Sequence, residues 1–141
     1  MADQYFHLTI GPVQAFVAQA RRTRDFWAGS FILSYLSSVA MLAVRQQQGQ
    51  IEFPLPDENF LWWLEHGDQQ NHSKPLPKQG SVPNRFKAME VKVSAGFEPQ
   101  AVVDAVNTAW QAIAEQVWGY DLSKVASLDS TQRKIWDRQI Q

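Results

Sequence analysis

The chain has 141 residues, of which 45% are hydrophobic, and its net charge at pH 7 is −1. This length and apolar share predict one globular domain with a sizeable core, whereas the near-neutral charge argues against a broad basic face for nucleic acid. The absence of cysteine excludes a disulfide framework and a thiolate metal site, and it fits a reducing compartment. We find no apolar run of membrane-spanning length and no signal peptide, so we expect a cytoplasmic protein without a membrane partner.

The first third of the chain predicts a strand, a helix, a break and a second helix. Residues 5–10 alternate as a strand does, and Gly11 and Pro12 follow. Because proline is favoured at the first helical position, we predict a helix from Val13 to about Arg22. The stretch 21–29, RRTRDFWAG, is predicted to interrupt the helical pattern, and a second helix is predicted to begin near Ser30.

Five elements are predicted in the rest of the chain: a strand at 50–54, a short helix at 57–64, a strand at 85–93, a helix at 99–119 and a helix from about 130 to the end. Residues 57–81 are interpreted as an insertion between strands, with a mobile polar loop after its helix. The apolar run around Trp62 and Trp63 favours burial against a partner or a neighbouring domain. Gly119 suits the C-terminal cap of the long helix.

This order predicts an α+β fold, a split βαββα arrangement of the ferredoxin-like type that lacks its fourth strand. The apolar positions of the last helix are still in phase at Gln141, so we interpret residues 1–141 as one domain and as an N-terminal fragment of a longer protein. A missing fourth strand leaves the first strand unpaired on one side. We therefore expect the fragment to form a homodimer through that edge, unless the last helix covers it.

The motif between residues 11 and 34 resembles the first Palm domain of the large subunit of type III CRISPR effector complexes, in the subtype B version. The matching residues are Gly11-Pro12-Val13-Gln14, Phe16, Ala20-Arg21, Thr23-Arg24-Asp25, Trp27, Gly29-Ser30 and Leu33-Ser34. Two shorter stretches are similar to later motifs of the same domain: 82–86, VPNRF, and 135–140, IWDRQI. Order and spacing agree over almost the whole chain.

The resemblance implies a function that this chain shares with a second Palm domain, which carries a GGDD hairpin. Palm pairs of these subunits bind ATP between them and make cyclic oligoadenylates when target RNA is engaged. The full-length protein would use ATP with Mg²⁺ or Mn²⁺, and its partners would be other effector subunits, the crRNA and the target RNA. The resemblance gives Gly29, Ser30 and, more weakly, Asn84 a nucleotide-facing role. From the residues alone, a helix start at Ser30 favours an anion site and plain N-capping equally.

We predict no catalytic residue and no metal ligand in this chain. Two-metal Palm chemistry needs carboxylates at the end of the first strand and in the following hairpin. The first strand ends Leu8-Thr9-Ile10-Gly11, and no paired aspartates occur between Phe53 and Asn84. The three histidines share no metal-ligand spacing. The chain alone is therefore expected to bind no cofactor and to be inactive.

A small basic and aromatic cluster is the remaining candidate site. Arg21, Arg22 and Arg24 stand beside Phe26 and Trp27, a combination that contacts single-stranded nucleic acid or a partner protein. Alternatively, Arg24 and the aspartate after it pin the break between the helices. For Trp27 we favour an anchor in the core.

Two functions remain open from the sequence. The first is a non-catalytic Palm half that frames an ATP site and docks effector subunits. The alternative is a free-standing ferredoxin-like module that binds a ligand or forms dimers.

Overall fold

A computed structural model of the chain describes residues 5–67, 74–89, 96–124 and 130–141. Within these residues the fold is α+β, as predicted. Its elements in chain order are β1 (Tyr5–Thr9), α1 (Val13–Val17), α2 (Thr23–Gln46), β2 (Gln50–Phe53), α3 (Glu58–His66), β3 (Arg85–Met89), α4 (Pro99–Tyr120), a 3-10 turn (Leu122–Lys124) and α5 (Ser130–Ile140). Residues 68–73 of the predicted mobile loop and residues 90–93 of the predicted third strand lie outside the described residues.

The break between the first two helices lies earlier than predicted. Helix α1 has five residues, and α2 begins at Thr23 with Arg22 as its N-cap. The predicted helix start at Ser30 is therefore wrong, because Ser30 lies two turns inside α2. Asp25 stands in the first turn of α2, where a carboxylate favours the positive end of the helix dipole. Residues 23–29 of the predicted interruption are helical instead, and the break is confined to residues 18–22.

The three strands form one antiparallel sheet in the order β1-β3-β2. Strand β3 is central, with Phe6 opposite Ala88 and Leu8 opposite Phe86 across its pairing with β1. The register between β2 and β3 shifts between Ile51 and Phe53, which is a bulge at Glu52. Alternate residues of each strand consequently point into the core, and the others lie on the open face of the sheet.

Helix α2 forms the centre of the core and packs against α4, α3 and the sheet. The buried apolar cluster comprises Ala40, Met41, Leu42, Ala43, Val44, Ile51, Phe60, Leu61, Val82, Phe86, Ala88 and Val102. Five of these residues come from the second half of α2. The helix therefore needs apolar residues around most of its circumference there, because neighbours cover it on several sides.

Helix α2 is long and apolar enough to cross a membrane, so the expectation of no such run was wrong. It is one such helix among the described residues, and half of its most apolar stretch is buried inside the domain. A helix at the centre of a core passes the same test of length and composition. Its packing against the sheet and α4 accounts for its apolar sequence here.

The structure corrects the predicted end of α4 and shows how α3 begins. Helix α4 continues through Gly119 to Tyr120 and is capped at Asp121, so Gly119 is not the C-terminal cap. Helix α3 begins after Asp57, whose carboxylate accepts hydrogen bonds from the N–H groups of Asn59 and Phe60. Such a cap contributes about 1 kcal/mol to a helix. It explains why a nine-residue helix forms at this point of the chain.

Helix α5 packs on α4. The indole N–H of Trp110 donates to the carbonyl of Ile140 at 2.9 Å, and Arg133 pairs with Glu115. The rings of Trp118 and Trp136 lie 6.0 Å apart. These contacts hold α5 against α4, so they do not support the alternative that it covers the β1 edge.

We expect the isolated chain to self-associate through β1. Strand β1 pairs with β3 on one side, and no strand of the described residues pairs with its other side. Unpaired N–H and C=O groups at a sheet edge favour pairing with a second copy. Sedimentation velocity over a wide concentration range should show a monomer that converts to a dimer. Thr9→Lys should shift this equilibrium towards monomer, because a lysine on an edge strand opposes pairing with a second strand.

Gln50→Lys is the matched control, since it places the same charge on the opposite edge strand, β2. It should leave the dimer unchanged. A single monomeric species at every concentration, with slow amide exchange over β1, would show that the chain protects this edge itself.

Candidate functional site

The structure brings Ser30 and Asn84 together in one cleft of about 260 Å³ at the end of β1. They are 54 positions apart in the chain. The cleft lies between the start of α1, the middle of α2 and the segment that leads into β3. Its walls are formed by Val13, Ser30, Leu33, Ser34, Gly80, Ser81, Val82, Pro83 and Asn84. Two residues predicted to face a nucleotide therefore share a site, although the helix start that motivated Ser30 does not exist.

A row of serines on α2 holds one wall of this cleft in place. The Ser34 hydroxyl donates to the carbonyl of Val82 at 3.0 Å, and the Ser37 hydroxyl donates to the carbonyl of Pro83. The Ser38 hydroxyl donates back to the carbonyl of Ser34 within the helix. All three serines are buried, so their hydroxyl groups need these acceptors. The row ties the chain before β3 to α2.

Gly80 allows that segment to lie directly on the helix. A β-carbon at this position would lie 2.6 Å from the Ser34 hydroxyl oxygen and 2.7 Å from the Ser30 carbonyl oxygen. Both separations are far below van der Waals contact. A side chain at position 80 would therefore push the segment away from α2 and open the cleft.

Asn84 closes the cleft at the strand end. Its side-chain amide donates to the carbonyl of Ile10 at 2.8 Å, and its own carbonyl accepts the N–H of Ile10, also at 2.8 Å. These two bonds extend the pairing of β1 and β3 by one residue. The amide nitrogen of Asn84 thus positions the strand end.

Ser30 lies on α2 one turn before this row, and its hydroxyl is available to a ligand. Its hydroxyl has no hydrogen-bond partner among the described residues, and its side chain is partly exposed in the cleft. Gly29, the third predicted nucleotide-facing residue, does not line the cleft. A β-carbon there would lie 3.4 Å from the Phe16 ring, in ordinary van der Waals contact, so Gly29 lies against α1 instead.

The cleft walls carry no carboxylate. Asp57 contacts one of these walls, since it accepts a hydrogen bond of 2.6 Å from the Ser81 hydroxyl. That bond is the main reason why the pKa of Asp57 lies below its usual value, and the N–H donors of α3 lower it further. Across the part of the chain that the structure describes, no cluster of three or more His, Cys, Asp or Glu residues could hold a metal ion.

The arginine cluster is divided by the fold. Arg21 and Arg22 line a shallow cavity of about 300 Å³ with Ala20, Thr23 and Phe26, whereas Arg24 is exposed outside it. No ion pair joins Arg24 to Asp25 in the described structure, so the alternative that they pin the break is not supported.

Trp27 is not a core anchor, because 48% of it is exposed. Its ring stacks on Phe31 at 5.5 Å and its indole N–H donates to the carbonyl of Lys78 at 3.1 Å. The tryptophan therefore lies at the surface and binds the segment before β3 through the carbonyl of Lys78.

Trp62 and Trp63 are partly buried, and the Trp62 ring stacks on the His66 ring with their centroids 4.4 Å apart.

Sequence reasoning missed Gly80, Ser34 and Ser37 as parts of the site. The only signal for the serines was their spacing on one face of a helix together with Ser30. Gly80 stood in a segment read as loop. Its partners on α2 are 46 and 50 positions away, which no local pattern reveals.

Comparison with known proteins identifies the family. The family model described as "CRISPR-associated protein Cmr2, N-terminal" matches residues 5–115, which run from β1 through most of α4. No curated protein and no solved structure gives a significant match. The match includes every residue of the cleft and of the arginine cluster, and it ends before α5. The chain therefore belongs to the N-terminal family of CRISPR-associated protein Cmr2, the large subunit of a type III effector complex.

Proposed function

We propose that this chain is the first Palm domain of that subunit and forms a non-catalytic wall of its ATP and cyclic-oligoadenylate site. The observation that carries the proposal is the shared cleft of Ser30 and Asn84 at the end of β1. The antiparallel order β1-β3-β2 supports a ferredoxin-like Palm, since it is the order of a split βαβ unit before its fourth strand is added. Other effector subunits, the crRNA and target RNA would assemble around the domain.

The cleft suits part of a nucleotide. Its volume of about 260 Å³ lies just below the range of about 300–1,000 Å³ typical of complete small-molecule sites. The Ser30 hydroxyl is free to bind a phosphate or ribose oxygen. Beside it lies a second cavity of about 580 Å³, with largely apolar walls that include Val13, Leu33 and Phe26. An adenine base would find apolar contacts there, while another domain closes the site.

The cleft does not suit Mg²⁺ or Mn²⁺. These ions prefer carboxylate and other oxygen ligands, and no carboxylate stands in the walls. We therefore propose that any metal at the shared site is held by residues of another domain. The contribution of this chain is to bind and orient the nucleotide through the hydroxyl of Ser30 and the strand end fixed by Asn84.

Replacing Ser30 tests the proposal in the full-length protein. Ser30→Leu would fill the cleft and remove the free hydroxyl, and it should weaken ATP binding about tenfold or more, since one hydrogen bond to a charged group contributes about 1.5–3 kcal/mol. Oligoadenylate synthesis should fall in parallel. ATP titration by calorimetry measures the first effect, and a thermal melt checks that the fold is retained.

Ser123→Leu is the matched control, because Ser123 is an exposed serine whose hydroxyl donates to the carbonyl of Gly119, far from the cleft in the chain. It should leave ATP affinity unchanged. Titration curves for Ser30→Leu that superpose on the wild type would refute a nucleotide role for the cleft.

A further inference from the structure

We propose that Arg21, Arg22 and Phe26, here called the RRF patch, form a binding site for single-stranded nucleic acid. This site differs from the nucleotide cleft in its lining residues and in its ligand, which is a polynucleotide and not ATP. Its three side chains line one shallow cavity of about 300 Å³ between the end of α1 and the first turn of α2.

The two arginines carry charge that nothing in the described structure neutralises. Both are exposed, and neither makes an ion pair or a side-chain hydrogen bond among the described residues. Two other arginines are paired with acids: Arg45 with Glu58, and Arg133 with Glu115 and Asp137. Two adjacent free guanidinium groups suit the phosphates of a polynucleotide, since their donors match phosphate oxygens in pairs.

Phe26 supplies a ring on which a base can stack. It is 56% exposed, and no aromatic or cationic partner contacts its ring within the described structure. The neighbouring Trp27 lacks this freedom, because its ring stacks on Phe31 and its N–H is bonded. A free aromatic ring beside free arginines is the combination that binds single strands, whose bases are open to stacking. Bases paired in a duplex cannot reach it.

The surface continues beyond the patch. Phe26 also lines the cavity of about 580 Å³ that contains Gln14 and Ser30. The RRF patch therefore borders the cavity proposed for adenine, and its own ligand contacts are those of Arg21, Arg22 and the outer face of Phe26. The small number of cations predicts few phosphate contacts and binding that weakens at high salt.

Fluorescence anisotropy with a labelled single-stranded RNA of about 12 nucleotides tests the proposal, without ATP or metal. The affinity of the 141-residue chain is measured over a range of salt concentrations. For single strands, the slope of log affinity against log salt is about −0.7 per phosphate neutralised. The double variant Arg21→Ala/Arg22→Ala should therefore reduce the slope by about 1.4. Phe26→Ala should weaken binding about fivefold or more and leave the slope unchanged.

Arg24→Ala is the matched control. It removes the same charge two residues away, from an exposed side chain outside the cavity, and should leave the slope unchanged. A slope reduced by Arg24→Ala as much per charge as by the double variant would overturn the proposal, because bulk charge would then explain binding. A duplex of the same length that binds as tightly as the single strand would also overturn it. Because no ATP is present, a failure to bind RNA does not contradict the proposed role of Ser30 in ATP binding. Likewise, an unchanged ATP affinity of Ser30→Leu does not contradict RNA binding by the RRF patch.

Discussion

Replacing Phe86 with alanine should destabilise the domain by about 3–5 kcal/mol. Phe86 is 2% exposed and lies in β3, the central strand of the sheet. Its ring lies 6.3 Å from that of Phe6, and it belongs to the same buried cluster as Met41 and Leu61. Truncation removes buried apolar surface and leaves a cavity that strands paired on both sides cannot collapse to fill. Since single domains are stable by only about 5–15 kcal/mol, the variant should be close to unfolded.

Urea unfolding followed by circular dichroism measures this loss. Phe53→Ala is the matched control, because Phe53 is 73% exposed on the edge strand β2. The same change of residue should alter stability there by about 0.5 kcal/mol or less. Equal unfolding midpoints for the two variants would mean that Phe86 is not in the core.

Gly80→Ala should destabilise the domain by about 1–3 kcal/mol and should also weaken ATP binding by the full-length protein. The new β-carbon would meet the Ser34 hydroxyl at 2.6 Å and the Ser30 carbonyl at 2.7 Å. The carbonyl belongs to the backbone of α2, and the hydroxyl is held by its bond to Val82. Neither atom can move without breaking a helix or a buried hydrogen bond, so the segment before β3 must shift. The cleft wall shifts with it.

Gly119→Ala is the control for the loss of a glycine. It lies in the last turn of α4, and a β-carbon there would have no neighbour within 4 Å. Because alanine favours a helix over glycine by up to about 1 kcal/mol, this variant should be unchanged or more stable. Thermal melts of both variants give the comparison. A Gly80→Ala variant as stable as Gly119→Ala would show that the segment does not rest on α2.

The element order was predictable because each element carries a local pattern. The alternation of β1, the proline at the start of α4 and the apolar spacing of α5 led to elements that the structure contains. The errors occurred where local signals were ambiguous. Gly29 ends the stretch that was expected to interrupt the helix, yet it lies inside α2, in contact with Phe16 of α1. Trp27 was expected to be a core anchor, although it lies at the surface and donates a hydrogen bond to the segment before β3.

The candidate site was predictable only in part. The resemblance of residues 11–34 to a Palm domain singled out Ser30, and a second short motif singled out Asn84. Their meeting in one cleft depends on a contact between α2 and the segment before β3. That contact rests on hydrogen bonds from Ser34 and Ser37 to carbonyl groups 46 to 48 positions away.

By itself, the sequence determined the family, the α+β class and the order of helices and strands, because these depend on motifs and on periodicities read over short windows. Only the tertiary structure decided that α2 begins at Thr23, that Gly80 must be a glycine and that Arg21 and Arg22, but not Arg24, share a cavity with Phe26. The physical reason is that packing distances and burial arise between residues far apart in the chain. Tertiary contacts decide where a helix begins and how closely two segments approach, because local helix propensity is weaker than the packing interactions of the folded domain.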